Sequence, residues 1–248
     1  MRLSEIGMIA ADTARSKAYL QALVRDGLCP NFVLVLRPDT ETGKMPGQSG
    51  FETKEKGKPA PSIIGKPVAP AGFHPEQSLE ETLLAGQIDH VALATKDVHD
   101  PHVVELLESR TESVFIYSGF GGVILKPSIL SIGIEFLHVH GGFLPDYKGS
   151  TTNYYSLLEE DLCGASSLFL NEEIDSGPVL LRRTFPPPED KTKIDYIYDS
   201  LFRAQVLIET VQRYVANGEK WEYDLEQNKG GDTFYIIHPV LKHLAILR

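Results

Sequence analysis

Positive charge is scarce in this chain: 24 Lys and Arg stand against 34 Asp and Glu, a formal net charge of -10. No basic field is therefore available to neutralise a phosphate backbone or hold an anionic membrane surface, which argues against a nucleic-acid partner. Cysteine is nearly absent. Cys29 and Cys163 are the whole complement and form no CxxC, which excludes a disulfide scaffold and suits a reducing compartment. Cys163 reads first as a small buried thiol and only second as a nucleophile. No apolar run approaches the ~18 residues a membrane span requires. The N-terminus, MRLSEIGMIAADTARSK, lacks a basic stretch leading into an apolar core and a small-residue cleavage site. The expectation is a soluble, cytoplasmic protein with no membrane partner.

What is present is enough for one substantial core: 248 residues, 42% of them hydrophobic, with room for a small appended part. Ile6 to Ala11 is a short apolar run, Tyr19, Leu20, Leu23 and Val24 follow at helical spacing, and Phe32 to Leu36 is a second apolar run. Together they predict a β-α-β opening. From Pro38 to Gln77 the pattern dissolves into Gly, Pro, Lys and Ser, far longer than an ordinary connection, and reads as a disordered insertion or a lid. Ser78 with Glu81 is a capping-box pattern that opens a helix.

Strands are then expected at Asp89–Thr95, Ser113–Ser118, Glu135–His140, Ser166–Leu170 and Pro178–Phe185, with helices near Pro101–Ser109, after Pro127, and over Thr151–Glu160. A long amphipathic helix is expected over Ile194–Asn217, with Ile197, Leu201, Ala204, Ile208 and Val211 on one face and Gly218 as its stop. The tail from Trp221 to Arg248 reads as a hairpin-like appendage around Lys229-Gly-Gly-Asp232. Strands alternating with helices predict an α/β, Rossmann-like, mostly parallel sheet with helices on both faces. Its ligands belong at the carboxyl ends of the strands.

Against that frame, His138 and His140 fall at i and i+2, on the same side of a strand that gives way to Gly141-Gly142. Phe143-Leu-Pro-Asp-Tyr-Lys-Gly149 follows as a loop, and Asn171-Glu-Glu-Ile-Asp-Ser-Gly-Pro178 sets Asp175 into a sharp turn. A metal site built from His138, His140 and Asp175 is one reading of the same residues. Asn153 and Tyr154, opening a helix, are candidates for contact with a substrate. His238 and His243 read as core or surface histidines.

The order His-x-His, Phe-Leu-Pro-x-Tyr-Lys-Gly, helix, strand, Ile-Asp-Ser-Gly-Pro over residues 113 to 185 closely resembles the folate-dependent formyltransferases. Their pattern is Asn-x-His, then Leu-Pro-x-(Tyr/Phe)-(Arg/Lys)-Gly, then Asp-(Thr/Ser)-Gly. The resemblance implies a Rossmann-like domain over 1–190, with 191–248 as a C-terminal helix and tail. It implies 10-formyltetrahydrofolate as co-substrate and a small-molecule amine, such as a nucleotide-linked amino sugar, as acceptor. By it, His140 is the catalytic histidine and donor to the developing oxyanion, Asp175 the catalytic aspartate that holds it cationic or relays a proton, and His138 stands where the family has asparagine. Gly121, Gly122, Val123, Ile124 and Leu125, with Asn171 and Ile174, correspond to the folate wall. Two other readings stay open: hydrolysis of 10-formyltetrahydrofolate by water, and a degenerate binder of folate or nucleotide sugar. The long apolar-faced helix and the aromatic tail also suggest pairing with a second copy.

Overall fold

The chain was described from a computed structural model, which covers residues 1–38, 72–223 and 228–248. Its first strand, β1 (Arg2–Ala11), is buried continuously from Ile6 onward, the mark of a central parallel strand covered on both faces. Gly7 sits where any side chain would run into the ring of Phe115 on a neighbouring strand, so its missing Cβ sets the packing distance there. Helix α1 (Ala14–Arg25) begins at Thr13, whose hydroxyl accepts from Ser16 N at 3.2 Å. Strand β2 (Cys29–Leu36) then returns parallel to β1.

The predicted capping box is present: helix α2 (Leu79–Ala85) starts with Ser78 and Glu81 satisfying each other's backbone N–H. It is followed by β3 (Asp89–Leu93), α3 (Pro101–Glu108), β4 (Val114–Ser118), α4 (Pro127–Leu130) and β5 (Glu135–His140). Beyond β5 come β6 (Tyr147–Gly149), α5 (Thr152–Glu160), β7 (Cys163–Phe169) and β8 (Val179–Phe185). The main sheet has the order β3-β2-β1-β4-β5-β7-β8. The five strands from β3 to β5 pair in parallel, and β7 and β8 add antiparallel.

Helices cover both faces. One apolar cluster joins the sheet to α1, α2 and the helix after β8, through Tyr19, Leu23, Leu83, Leu207 and Val211. The other joins it to α3 and α4, through Val103, Leu107 and Ile129. Strand order reverses between β1 and β4, so the carboxyl ends of these two strands open a crevice there.

The long helix differs from expectation at its start. Ile194–Tyr198 forms a single π-helical turn before α6 (Asp199–Ala216) continues as regular helix. Its apolar face packs on α1 and the sheet. Gly218 has a left-handed backbone at the predicted stop.

The tail forms no hairpin among the described residues. Among the described residues it supplies one short strand, β9 (Asp232–Phe234), which pairs in parallel with β6 far upstream, Tyr147 opposite Asp232 and Gly149 opposite Phe234. Pro239 then opens helix α7 (Pro239–Leu247), capped by His238, while His243 is exposed. The physical reason lies in two glycines of positive φ: a side chain at Gly231 would collide with the carbonyl of Pro145, and one at Gly149 with that of Phe234. They let β9 lie against the 143–149 loop instead of folding back on itself. The segment expected as a lid or insertion falls, for residues 39–71, outside the described residues. Its end docks on α1, where His74 N donates to Gln21 Oε1 at 2.8 Å.

No described helix is long and apolar enough to cross a membrane.

Candidate functional site

His138 and His140 both line one cavity of about 530 Å³ at the carboxyl end of β5. The β4–β5 ladder stops at Ile116 opposite Leu137, and the next carbonyl on β4, that of Tyr117, accepts instead from His138 Nδ1 at 3.2 Å. A carbonyl can only accept, so Nδ1 carries the hydrogen. Burial holds His138 well below the ordinary histidine pKa, and the guanidinium groups of Arg15 and Arg203 push the same way, against the Tyr117 carbonyl. The imidazole is neutral at pH 7.

His140 is buried, with Nε2 2.7 Å from the Tyr147 carbonyl and Nδ1 3.3 Å from Asp175 Oδ2. Nε2 must donate to the carbonyl, and the approach of Nδ1 to a carboxylate oxygen is favourable only with a proton between them. Burial lowers the His140 pKa, and Asp175 opposes that without reversing it. Gly142 makes the geometry possible, since a side chain there would meet His140 Nε2, the Tyr147 carbonyl and Thr152 Oγ1.

Asp175 sits in the left-handed region at φ 50°, a conformation Asp tolerates better than most residues. Its Oδ2 also accepts from Gly149 N at 2.8 Å. From behind, buried Asn228 spends both amide hydrogens on the turn, donating to the carbonyls of Asp175 at 2.8 Å and Gly177 at 2.7 Å.

Two arginines that no motif marked complete the floor. Arg15, in the first turn of α1, donates to Ser118 Oγ at 3.2 Å and to the Gly119 carbonyl. Arg203 donates to the Val139 carbonyl at 2.9 Å and pairs with Asp199 at 2.8 Å, packed against Gly141, where a Cβ would strike both side chains. A signal for Arg15 exists in hindsight, because a cation in a helix's first turn opposes the macrodipole and calls for a reason.

The expected folate wall, Gly121 to Leu125 with Asn171 and Ile174, lies in the same cavity. A Cβ at Gly121 or Gly122 would meet nothing within 4 Å, and Gly122 has φ 79°. Asn171 spends its Oδ1 on Glu173 N at 3.1 Å.

Asn153 and Tyr154 also line the cavity, but their polar atoms are committed within the protein. Asn153 Nδ2 donates to Asp199 at 3.0 Å and its Oδ1 accepts from Gly164 N at 2.7 Å, while Tyr154 OH donates to Asp195 at 2.9 Å. They shape the wall and hold the carboxylates of the 195–199 turn. The strand β9 and the residues after it, Thr233 to Ile236, contribute a wall that sequence reasoning missed.

The metal reading fits poorly. Both ring nitrogens of His140 are engaged by protein, and no group of three metal-type ligands occurs among the described residues. Cys163 is buried, and burial pushes its thiol up to about 12, which leaves it unreactive as a nucleophile near neutrality.

The formyl transferase family profile matches residues 54–205. The methionyl-tRNA formyltransferase of Chloroflexus aurantiacus is 29% identical over 162 residues, covering 63% of this chain and 51% of that protein. The chain thus spans about half the length of the curated relatives it matches. Among solved structures, a sugar N-formyltransferase from Shewanella sp. superposes with a TM-score of 0.57 at 14% identity, over 99% of this chain and 87% of the other. An N-formyltransferase from Helicobacter canadensis, solved with folinic acid and dTDP-3-aminofucose, gives 0.53 at 16% identity, over 94% and 71%. These two likenesses speak for the α/β fold.

Proposed function

Taking as premise that the chain belongs to the formyl transferase family, we propose that it transfers the formyl group of 10-formyltetrahydrofolate to the amino group of a small molecule, with nucleotide-linked amino sugars as the first class to test. The observation that carries this reading is the His140–Asp175 pair, 3.3 Å apart, lining the same cavity as the Gly121–Leu125 wall. The pair sits at the end of a parallel strand, where such sheets bind ligands.

The residues present suit a folate. The two glycines leave that wall open to a flat ring, Val123, Leu125 and Ile174 offer apolar contact, and the buried hydroxyl of Tyr117 has no partner among the described residues. Such an orphan is normally satisfied by something bound. Those groups would hold the folate, which supplies an electrophilic formyl carbon when bound.

The chain's own residues then do the rest. Negative charge develops on the formyl oxygen as the amine attacks, and preorganised positive groups aimed at that oxygen are usually the largest source of rate. Arg15 and Arg203, both lining the cavity, supply that potential. Nε2 of His140 already donates to the Tyr147 carbonyl, so the ring holds the Asp175 turn in place and has no free N–H to offer. Asp175 is tied in turn to Gly149 and Asn228.

A small acceptor agrees with the net charge of -10, which disfavours tRNA. The likeness to sugar N-formyltransferases over nearly the whole chain supports the same direction. The test is a panel of nucleotide-linked amino sugars, amino acids and methionyl-tRNA with formyl-labelled 10-formyltetrahydrofolate. Label on a sugar amine is the expected result. Label on tRNA would replace the acceptor class, and formate released equally with and without amine would replace transfer by hydrolysis.

A further inference from the structure

His138 stands where the family motif has asparagine, and its surroundings give it a different chemical capacity. Asparagine offers an amide N–H and cannot take up a proton. Here the Nδ1 hydrogen is spent on the Tyr117 carbonyl at 3.2 Å. The ring lines the cavity, and its one side-chain hydrogen bond among the described residues is that of Nδ1. A neutral imidazole has one N–H and one lone pair, so the lone pair lies on Nε2. That atom can accept a proton and cannot donate one.

We propose that His138 Nε2 is the general base of this enzyme, taking the proton that the acceptor amine loses on attack, in place of the hydrogen-bond donor the motif asparagine provides. The inference rests on the formyl-transfer reading and adds a role within it. In the balanced step, the amine nitrogen forms a bond to the formyl carbon as the C=O π pair moves to oxygen, and an N–H proton passes to His138 Nε2. The C=O bond then re-forms and the bond from the formyl carbon to N10 breaks. The pair left on N10 takes the proton from Nε2–H, which yields formamide and tetrahydrofolate and returns His138 to its neutral form.

Two further observations agree with that assignment. Both nitrogens of His140 are held, by Tyr147 and Asp175, so the other imidazole in the cavity has no free lone pair for the task. The charged and titratable groups facing His138 are Arg15 from α1, Arg203 from α6, Tyr117 from β4 and His140 from its own strand. Burial and the two guanidiniums hold the ring's pKa down, so the Nε2 lone pair is unprotonated at neutral pH.

The test combines a spectrum with a rate. In 15N-histidine NMR spectra of the ligand-free protein, His138 is expected as the Nδ1–H tautomer from pH 6 to 8, with Nε2 carrying no proton. An Nε2–H tautomer or an imidazolium in that range overturns the proposal without any activity measurement. His138→Asn, which restores the motif residue, is expected to lower kcat about 100-fold with little change in acceptor KM. It should also remove the acid limb of the pH profile, in a protein whose thermal unfolding is checked alongside. A His138→Asn variant as fast as the wild type, while the wild type transfers formyl, overturns the base role alone. No transfer by the wild type to any amine overturns both readings.

Discussion

The wall that carries His138 and His140 grows out of a sheet, whereas the wall that carries Asp175 is a turn in left-handed backbone held from behind by the tail. On the first, Leu137 and Val139 are fully buried on either side of His138, and the histidines inherit their direction from the pleat. On the second, Asp175 depends on Gly149 N, on the amide of Asn228 and on the approach of β9 to β6. One wall is fixed by burial in the core. The other is fixed by a few hydrogen bonds and close backbone contacts, so substitutions there can loosen the site while leaving the sheet folded.

The largest effect on stability along that second wall is expected from Gly231→Ala. Its Cβ would run into the Pro145 carbonyl at a residue of φ 78°, and left-handed strain plus overpacking together come to about 2–4 kcal/mol. Urea unfolding measures the loss, and formyl transfer should fall with it. An unchanged midpoint would mean that the tail does not rest on the 143–149 loop.

Asn228→Ala should follow at about 1–3 kcal/mol, since two buried carbonyls lose their donor. The same variant should lower kcat more than it raises KM, because Asp175 loses its support and not its carboxylate. Equal changes in both would place Asn228 in binding instead.

That dependence explains what could be read from the sequence. The continuous apolar run of β1, the Ser78–Glu81 box and the Gly218 stop are local patterns, each decided by its own neighbours. His140 and Asp175 were legible because their motifs keep a recognisable order. Arg15, Arg203 and Asn228 were not, because what places them in the site is convergence of distant segments on one cavity. A lone arginine in a helix or a lone asparagine in a tail has no periodicity to betray it. The hairpin reading of the tail failed for the same reason: the glycines at 230–231 signalled a turn correctly, but the partner strand of β9 lies at Tyr147–Gly149.

On the sheet-built wall the expected effects are smaller. His138 is neutral in the folded protein and free to protonate in the unfolded chain below about pH 6.5. The unfolded state then binds more protons, so stability should rise with pH below 6.5 and level off above it. In His138→Asn that part of the slope should vanish, as read from unfolding free energies across pH 5 to 8. A slope unchanged by the substitution would assign it to other groups.

Smallest of all is Cys163→Ala, which removes one buried sulfur at a cost of about 1 kcal/mol and should leave turnover as it was. Iodoacetamide should spare Cys163 in the native protein and label it after unfolding. Loss of activity in the alanine variant would reopen a thiol role.

The measurement that most directly tests whether the two walls make one reaction centre is Asp175→Asn, assayed for folate binding and formyl transfer on the same preparation. The amide keeps the shape of the turn but cannot share a proton with His140 as a carboxylate does. Binding of 10-formyltetrahydrofolate within a few-fold of wild type and a fall in kcat of about 100-fold or more is the predicted result. Transfer at the wild-type rate would contradict the account and place the chemistry elsewhere in the cavity.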